Sequence, residues 1–272
     1  MQNAPDTAPR AYLFVTTASR ETPALLETAR ALAAELRCPL LPRHGGGVEA
    51  LFAAHPARAR AILVQTERLL LVDRGGQQFF AHPGMGYLRF RHVVDTGRDT
   101  LLDVSGAGAG DAVLDCTLGF ASEATLFAHA VGESGLVDGV EAVPEVGVVV
   151  RAGLKSVQTK LPALNAAMRR VRVAYLGSHT DYLRDQPDNS YDIVYFDPFF
   201  ETVLTQSESF APLRSFGSHS PLTAETIRDA VRVARRCVVV KTTRWGDALE
   251  SFGITERVES KNGRVAYGVI RK

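Results

Sequence analysis

Hydrophobic and polar positions divide the chain into two stretches of different rhythm. In the first, a strand is expected over residues 12–17, then a helix over 22–37, where Leu25, Leu26, Ala29, Leu32, Ala33 and Leu36 fall on one face. A short strand at Leu40-Leu41, a helix near 48–54 and two or three strands between 61 and 80 follow. Gly75-Gly76 between two apolar runs reads as a hairpin turn. The pattern predicts a small α/β lobe that ends in a connector, His82-Pro83-Gly84-Met85-Gly86.

The second stretch is more regular. Apolar strands are expected at 112–116, 136–140, 171–176, 192–196, 237–241 and 265–270, with helices over 99–104, 122–131, 144–153, near Asp181 and over 223–235. Alternation of this kind predicts an α/β fold with a mostly parallel sheet, helices on both faces and ligands at the carboxyl ends of the strands. The division expected is 1–92 for the lobe and connector and 93–272 for the main domain. Residues 202–221, rich in Ser, Phe and Gly without periodicity, read as a substrate-facing loop.

Composition adds little to this picture but closes some doors. A chain of 272 residues with 46% hydrophobic and 22% charged positions can bury a sizeable core. No run approaches the ~20 apolar residues that span a bilayer, and the short apolar stretch 11–17 is too brief for a signal segment. A soluble, cytoplasmic protein without a membrane partner is expected. Cys38, Cys116 and Cys237 lack metal-ligand spacing and read as buried thiols in a reducing compartment; no metal is expected. A net charge of +1 does not decide for or against nucleic acid.

The chemistry concentrates at the predicted strand ends. Asp115-Cys-Thr117-Leu-Gly119-Phe-Ala-Ser122-Glu123 is an apolar strand that ends in a carboxylate and opens through a glycine turn into a helix, a geometry suited to a nucleotide-like cofactor. One glycine after the strand fits a cofactor without phosphates better than a dinucleotide, and the glycine-rich stretch Gly106–Gly110 precedes the strand instead of following it. Glu141-Ala142, at the end of the second strand, places a carboxylate for a ribose diol. Ser178 and His179, after the third, could line an adenine. The fourth strand delivers Asp197-Pro198-Phe199-Phe200. There a carboxylate beside a carbonyl can orient an exocyclic amine while an aromatic ring stacks on its base.

These residues resemble class I S-adenosylmethionine-dependent methyltransferases, and in particular the bacterial 16S ribosomal RNA guanine-N2 methyltransferase J family, over roughly residue 80 to the C-terminus. The resemblance implies a Rossmann-like, seven-stranded sheet and S-adenosyl-L-methionine as cofactor. Asp115, Thr117, Gly119, Ser122, Glu123, Glu141, Ala142, Ser178, His179 and Asp197 would bind it. Asp197, Pro198, Phe199 and Phe200 would form the catalytic loop, with Val238-Val-Val-Lys241 matching beyond it. Glu201 stands where the family carries a proline, and Ser122-Glu123 where it carries a more basic pair. The implied reaction is methyl transfer to guanine N2 of small-subunit ribosomal RNA. Arg89, Arg91 and Arg98 in the connector, with Lys241 and Arg244, are the candidate phosphate contacts, against the alternative that Arg89 and Arg91 alternate on an edge strand and are simply solvated. The alternatives are a small-molecule or protein amine methyltransferase, and a cofactor-binding interaction module.

Overall fold

Leu13, Phe14 and Val15 are fully enclosed, as a strand covered on both faces requires. They belong to β1 (Leu13–Thr17) in a computed structural model that describes residues 10–84, 86–198, 216–217, 221–244, 249–260 and 265–272. A first sheet has the order β1-β2-β3-β4, with β2 (Arg60–Val64) parallel to β1, and β3 (Leu69–Asp73) and β4 (Gln78–Phe79) antiparallel. Helix α1 (Pro23–Glu35), capped by the Thr22 hydroxyl, buries Leu25, Ala29, Leu32 and Ala33. Phe14, Ala61, Leu63 and Val72 form a separate cluster with Val48 and Phe52 of α2 (Val48–Ala54). The Leu40-Leu41 strand reduces to one bridge between Leu40 and Val15.

Connector helices α3 (Gly86–Thr96) and α4 (Thr100–Ser105) lead to β5 (Ala112–Asp115), α5 (Ser122–Val131), β6 (Leu136–Glu141), α6 (Pro144–Ser156) and α7 (Pro162–Arg170). Then come β7 (Val171–Leu176), α8 (His179–Asp185), β8 (Tyr191–Phe196), α9 (Ala224–Val233), β9 (Ala234–Thr243), β10 (Glu256–Glu259) and β11 (Val265–Arg271). The second sheet is ordered β10-β11-β9-β8-β5-β6-β7. It is parallel from β9 to β7, and β11 and β10 close it antiparallel. Period-two alternation sorts its two faces. Val113 and Ile193 join one core with α5, α6 and α7, while Leu114 and Val194 join another with Leu183 of α8 and Ile227 of α9.

The fold class matches the sequence expectation, with three local differences. Arg89 and Arg91 lie on helix α3, not on an edge strand. Leu88-Arg89-Phe90-Arg91 satisfies a two-residue alternation only briefly, and burial of Phe90 and Val93 shows the helical face that wins. The seventh strand, absent from the six placed by apolar runs, is β10, whose polar Glu256-Arg257-Val258-Glu259 suits a short sheet edge. Helix α7 also went unassigned, although Pro162 at its start and buried Leu164, Ala167 and Met168 carry a helical spacing. Cys116 and Cys237 are buried and Cys38 partly so, all three as free thiols. Among the described residues no helix is long and apolar enough to cross a membrane. Of residues 202–221, only 216, 217 and 221 are described; Phe216 is fully buried, 6.4 Å from the Phe79 ring.

The first sheet is joined to α6 by packing and by one ion pair. Gly153 approaches Ala81 so closely that a β-carbon there would lie 2.0 Å from that of Ala81. Glu145, with a side chain 0% exposed, accepts from Arg60 at 2.7 Å and from the Tyr12 hydroxyl at 3.3 Å. Removing one partner of a buried pair strands the other charge. Arg60→Met should therefore destabilise the protein by about 3–5 kcal/mol, and Arg60→Met/Glu145→Met by distinctly less. Denaturant unfolding of both variants checks this; equal losses would contradict it.

Candidate functional site

Sheet order reverses between β5 and β8, the place where open α/β sheets leave a crevice at their carboxyl edge. Asp115 ends β5, with Tyr195 of β8 as its register partner, and Asp197 follows two residues later. On the far side of β8, Phe196 pairs with Val240, and Lys241 pairs with Tyr267 of β11. Glu141 ends β6 on the other flank. Register alone thus lines up Glu141, Asp115, Asp197, Lys241 and Tyr267 along one edge.

Hydrogen bonds tie these ends together. The Asp197 backbone N–H donates to Thr117 Oγ1 at 2.6 Å, and the Thr117 N–H donates to Asp115 Oδ1 at 3.0 Å. Thr117 therefore staples the β5 loop to the β8 loop. Glu141 accepts from the Gly119 N–H at 3.1 Å and the Val143 N–H at 3.0 Å, so its carboxylate shapes the glycine turn. Gly119 and Ala121 both hold positive φ, +48° and +60°, where glycine is at ease and alanine is not. The Gly177 N–H donates to the Glu141 carbonyl, bringing Ser178 and His179 to the end of β7 beside this carboxylate.

Behind Asp197 runs a ladder of ions. Lys241 Nζ donates to Asp197 Oδ2 at 2.7 Å and to Glu123 Oε1 at 2.8 Å. Arg89 donates to the same Glu123 oxygen at 2.9 Å, to Asp99 at 2.7 and 2.9 Å, and to the Tyr267 hydroxyl at 3.2 Å. Arg89 and Lys241, read from sequence as phosphate contacts, thus spend their donors on internal carboxylates. Arg91 and Arg98 are exposed, Arg91 with Asp95 of its own helix at 3.6 Å. Asp99, which also caps α4, and Tyr267 are ladder members that sequence reading passed over. A capping Asp was visible beside the helix read at 99–104, but nothing local marks it as a partner of Arg89.

The other residues singled out from sequence fall nearby. Ser122, at the start of α5, packs against Gly86, where a β-carbon would lie 2.7 Å from the Ser122 hydroxyl. Ser178 is exposed and caps α8, and Ala142 is half-buried. His179 is buried with its ring 5.6 Å from Phe196, and burial lowers its pKa, which keeps it neutral. Pro198 is half-buried, and Phe199 and Phe200 lie outside the described residues. A small crevice of about 30 Å³ under His82 and Phe120 is lined by Phe90 of α3, by Ser122 and Thr125 of α5 and by side chains of α6 and α7, and by none of these carboxylates.

Electrostatics give the edge its character. Burial pushes the Asp115 carboxyl up to about 8 against the Thr117 N–H, with Glu123 and Asp197 adding to the rise. Burial likewise takes Glu141 to about 7, opposed by the N–H groups of Val143 and Gly119. For Glu123 the burial effect is outweighed by Lys241 and Arg89, which hold it down at about 2. Burial would lower Lys241, but Asp197 and Glu123 win and keep it an ammonium. Asp99, Glu123 and Asp197 thus face Arg89 and Lys241, while Asp115 and Glu141, raised to about 8 and about 7, hold protons near neutrality that a cation could displace. Such an edge favours a ligand bearing positive charge.

Comparison with known proteins gives the relationship. The uncharacterized protein YpiP of Bacillus subtilis is 37% identical over 258 residues, covering 95% of this chain and 99% of YpiP. The chain belongs to the YpiP family. No protein-family model matches it. Among solved structures, the SAM-dependent methyltransferase NGO1261 from Neisseria gonorrhoeae superposes with a TM-score of 0.62 at 18% identity, over 94% of this chain and 95% of its own. The fold shared by YpiP's relative and NGO1261 is thus the Rossmann-like methyltransferase fold. A SAM-dependent O-methyltransferase from Thermotoga maritima is similar more loosely, 11% identical with a TM-score of 0.45, over 79% of this chain and 86% of its own.

The raised Asp115 carboxyl has a stability consequence. Its pKa is about 8 folded and about 3.9 unfolded, so its contribution is fully present below pH ~4 and is lost as pH rises towards 8. Asp115→Asn keeps an acceptor for the Thr117 N–H and cannot ionise. Between pH 5 and 8 the variant should retain stability that the parent loses, on the order of a few kcal/mol at about 1.4 kcal/mol per unit. Parallel pH–stability curves in urea would refute this.

Proposed function

We propose that the protein is an S-adenosylmethionine-dependent methyltransferase acting on an exocyclic amine of a nucleic acid base, guanine N2 of small-subunit ribosomal RNA being the favoured acceptor. The observation that carries the reading is the Asp197 carboxylate, 35% exposed and fixed at the sheet's switch point by Thr117 and Lys241. The carboxyl-rich edge suits a cofactor with two cationic groups and one carboxylate. Glu141 would accept from the ribose hydroxyls, Gly119 would let the backbone close on the cofactor, and Asp115 would supply negative field once the cofactor's positive charge has displaced its proton. Ser122 and Glu123 would hold the loop's helical end, and Ala142, Ser178 and His179 would border the adenine. The cofactor supplies a methyl group on sulfonium sulfur, which leaves as a neutral thioether as the N–CH₃ bond forms and the amine proton passes to water.

The protein's share of catalysis is positioning. Asp197 and the Pro198 carbonyl would accept hydrogen bonds from the two amine protons, turning the nitrogen lone pair towards the methyl donor. Phe199 and Phe200, next in sequence, would stack on the base. Exposed Arg91 and Arg98 would meet the acceptor's phosphates. The small lobe, residues 1–92 with the connector, would frame the acceptor side of the cofactor domain, 93–272.

Transfer of labelled methyl to total RNA, ribosomal subunits and a small-molecule extract tests the reading. Label at a guanine amine of ribosomal RNA is expected, with a rate at low RNA that falls at least about tenfold between 50 and 200 mM salt. Label confined to the extract would transfer the role to a small amine; cofactor binding without transfer to any pool would make the chain a binding module. Asp197→Ala should cut turnover by about a hundredfold or more with cofactor affinity within a few-fold. Undiminished turnover would remove Asp197 from the reaction.

A further inference from the structure

The ladder behind Asp197 leaves its two oxygens unequal. Oδ2 is taken by Lys241 at 2.7 Å, while among the described residues no donor engages Oδ1. Lys241 is itself divided, because Glu123 draws it at 2.8 Å and Arg89 draws Glu123 at 2.9 Å from the opposite side. The Lys241 side chain is 20% exposed and that of Glu123 15%, so water screens these contacts weakly. Resting on the methyltransferase reading, we infer that Lys241 is a positioning residue for the acceptor: it occupies Oδ2 of Asp197, opposes protonation of the group and presents Oδ1 to the amine, while Glu123, tied to Arg89, sets how far Lys241 leans towards Asp197.

The argument is one of charge placement on several elements. Facing Asp197 are Lys241 from β9, Glu123 from α5 and Arg89 from α3, with Asp115 on β5 and the Tyr195 phenol on β8 also within its field. A protonated Asp197 would keep only one acceptor oxygen and would turn a donor towards the amine. Burial raises the Asp197 pKa; Lys241 opposes that rise and Glu123 adds to it, so removing the two should act with opposite sign. A side chain that merely filled space would produce no such opposition. Arg89 couples the arrangement to the connector helix, which links the acceptor-binding carboxylate to the segment leading from the small lobe.

The test uses full-length protein with aspartate carboxyl carbons labelled with ¹³C and the Asp197 signal assigned by its loss in D197N. Wild type, K241M, K241R and E123Q are titrated by NMR, and methyl transfer is followed over the same pH range. In K241M, Asp197 should titrate at least about one pH unit higher and the acid limb of kcat should rise with it, while the KM for cofactor stays within about threefold. E123Q should move both downwards, and K241R should restore the wild-type limb. Coincident Asp197 titrations in wild type, K241M and E123Q would overturn the inference, as would a loss of kcat in K241M with an unmoved acid limb. The NMR titration needs no acceptor. Opposed shifts in a protein without methyl transfer would keep the clamp on Asp197 and defeat the methyltransferase reading, whereas transfer by wild type with unmoved titrations would do the reverse.

Discussion

Parallel pairing of β5 with β8, at the point where the order of the sheet reverses, sets the terms for everything at the carboxyl edge. It brings Asp115 and Asp197 from strands 80 residues apart to neighbouring ends, and the Thr117 bond to the Asp197 N–H spans the same separation. Two acidic strand ends side by side are costly in a buried setting. The remaining groups answer that cost: Lys241 beside Asp197, backbone N–H groups on Asp115 and Glu141, and Arg89 behind Glu123. What remains is two carboxyls, Asp115 and Glu141, that burial keeps largely protonated and that a positive charge at this edge would ionise.

The small lobe acts on this edge through packing. Its sheet shares a core with α6, the ion pair between Arg60 and Glu145 fixes the start of that helix, and the Glu141 carboxylate lies four residues upstream. The connector then delivers α3, whose Arg89 reaches the ladder while Phe90 and Val93 are buried. The helix thus anchors itself with apolar residues and contributes one charge to the site.

Much of this was legible in the sequence, for identifiable reasons. Strands buried on both faces read as short apolar runs, so β5 to β8 were placed within one residue at each end, whereas β9 runs beyond its expected 237–241 on both sides, and a carboxylate at a strand end is visible without a fold. The α3 helix went unassigned because four alternating residues fit two periods, and β10 was missed because a polar edge strand lacks an apolar run. The ladder lay beyond sequence reasoning for another reason. Lys241 and Glu123 are 118 residues apart, and Arg89 and Tyr267 are 178 apart. Their pairing is a product of topology, and without it two site cations looked like surface contacts for phosphate.

The central claim is that the excess of buried carboxyl groups at this edge exists to receive a cationic cofactor. Calorimetric titration of S-adenosylmethionine into the protein near pH 7, in buffers of different ionisation enthalpy, reads the protons exchanged on binding. With Asp115 at about 8 and Glu141 at about 7 before binding, an incoming positive charge should lower both, so net proton release is predicted, and it should shrink above pH 9. Binding with no proton release at neutral pH, or no binding at all, would contradict the account.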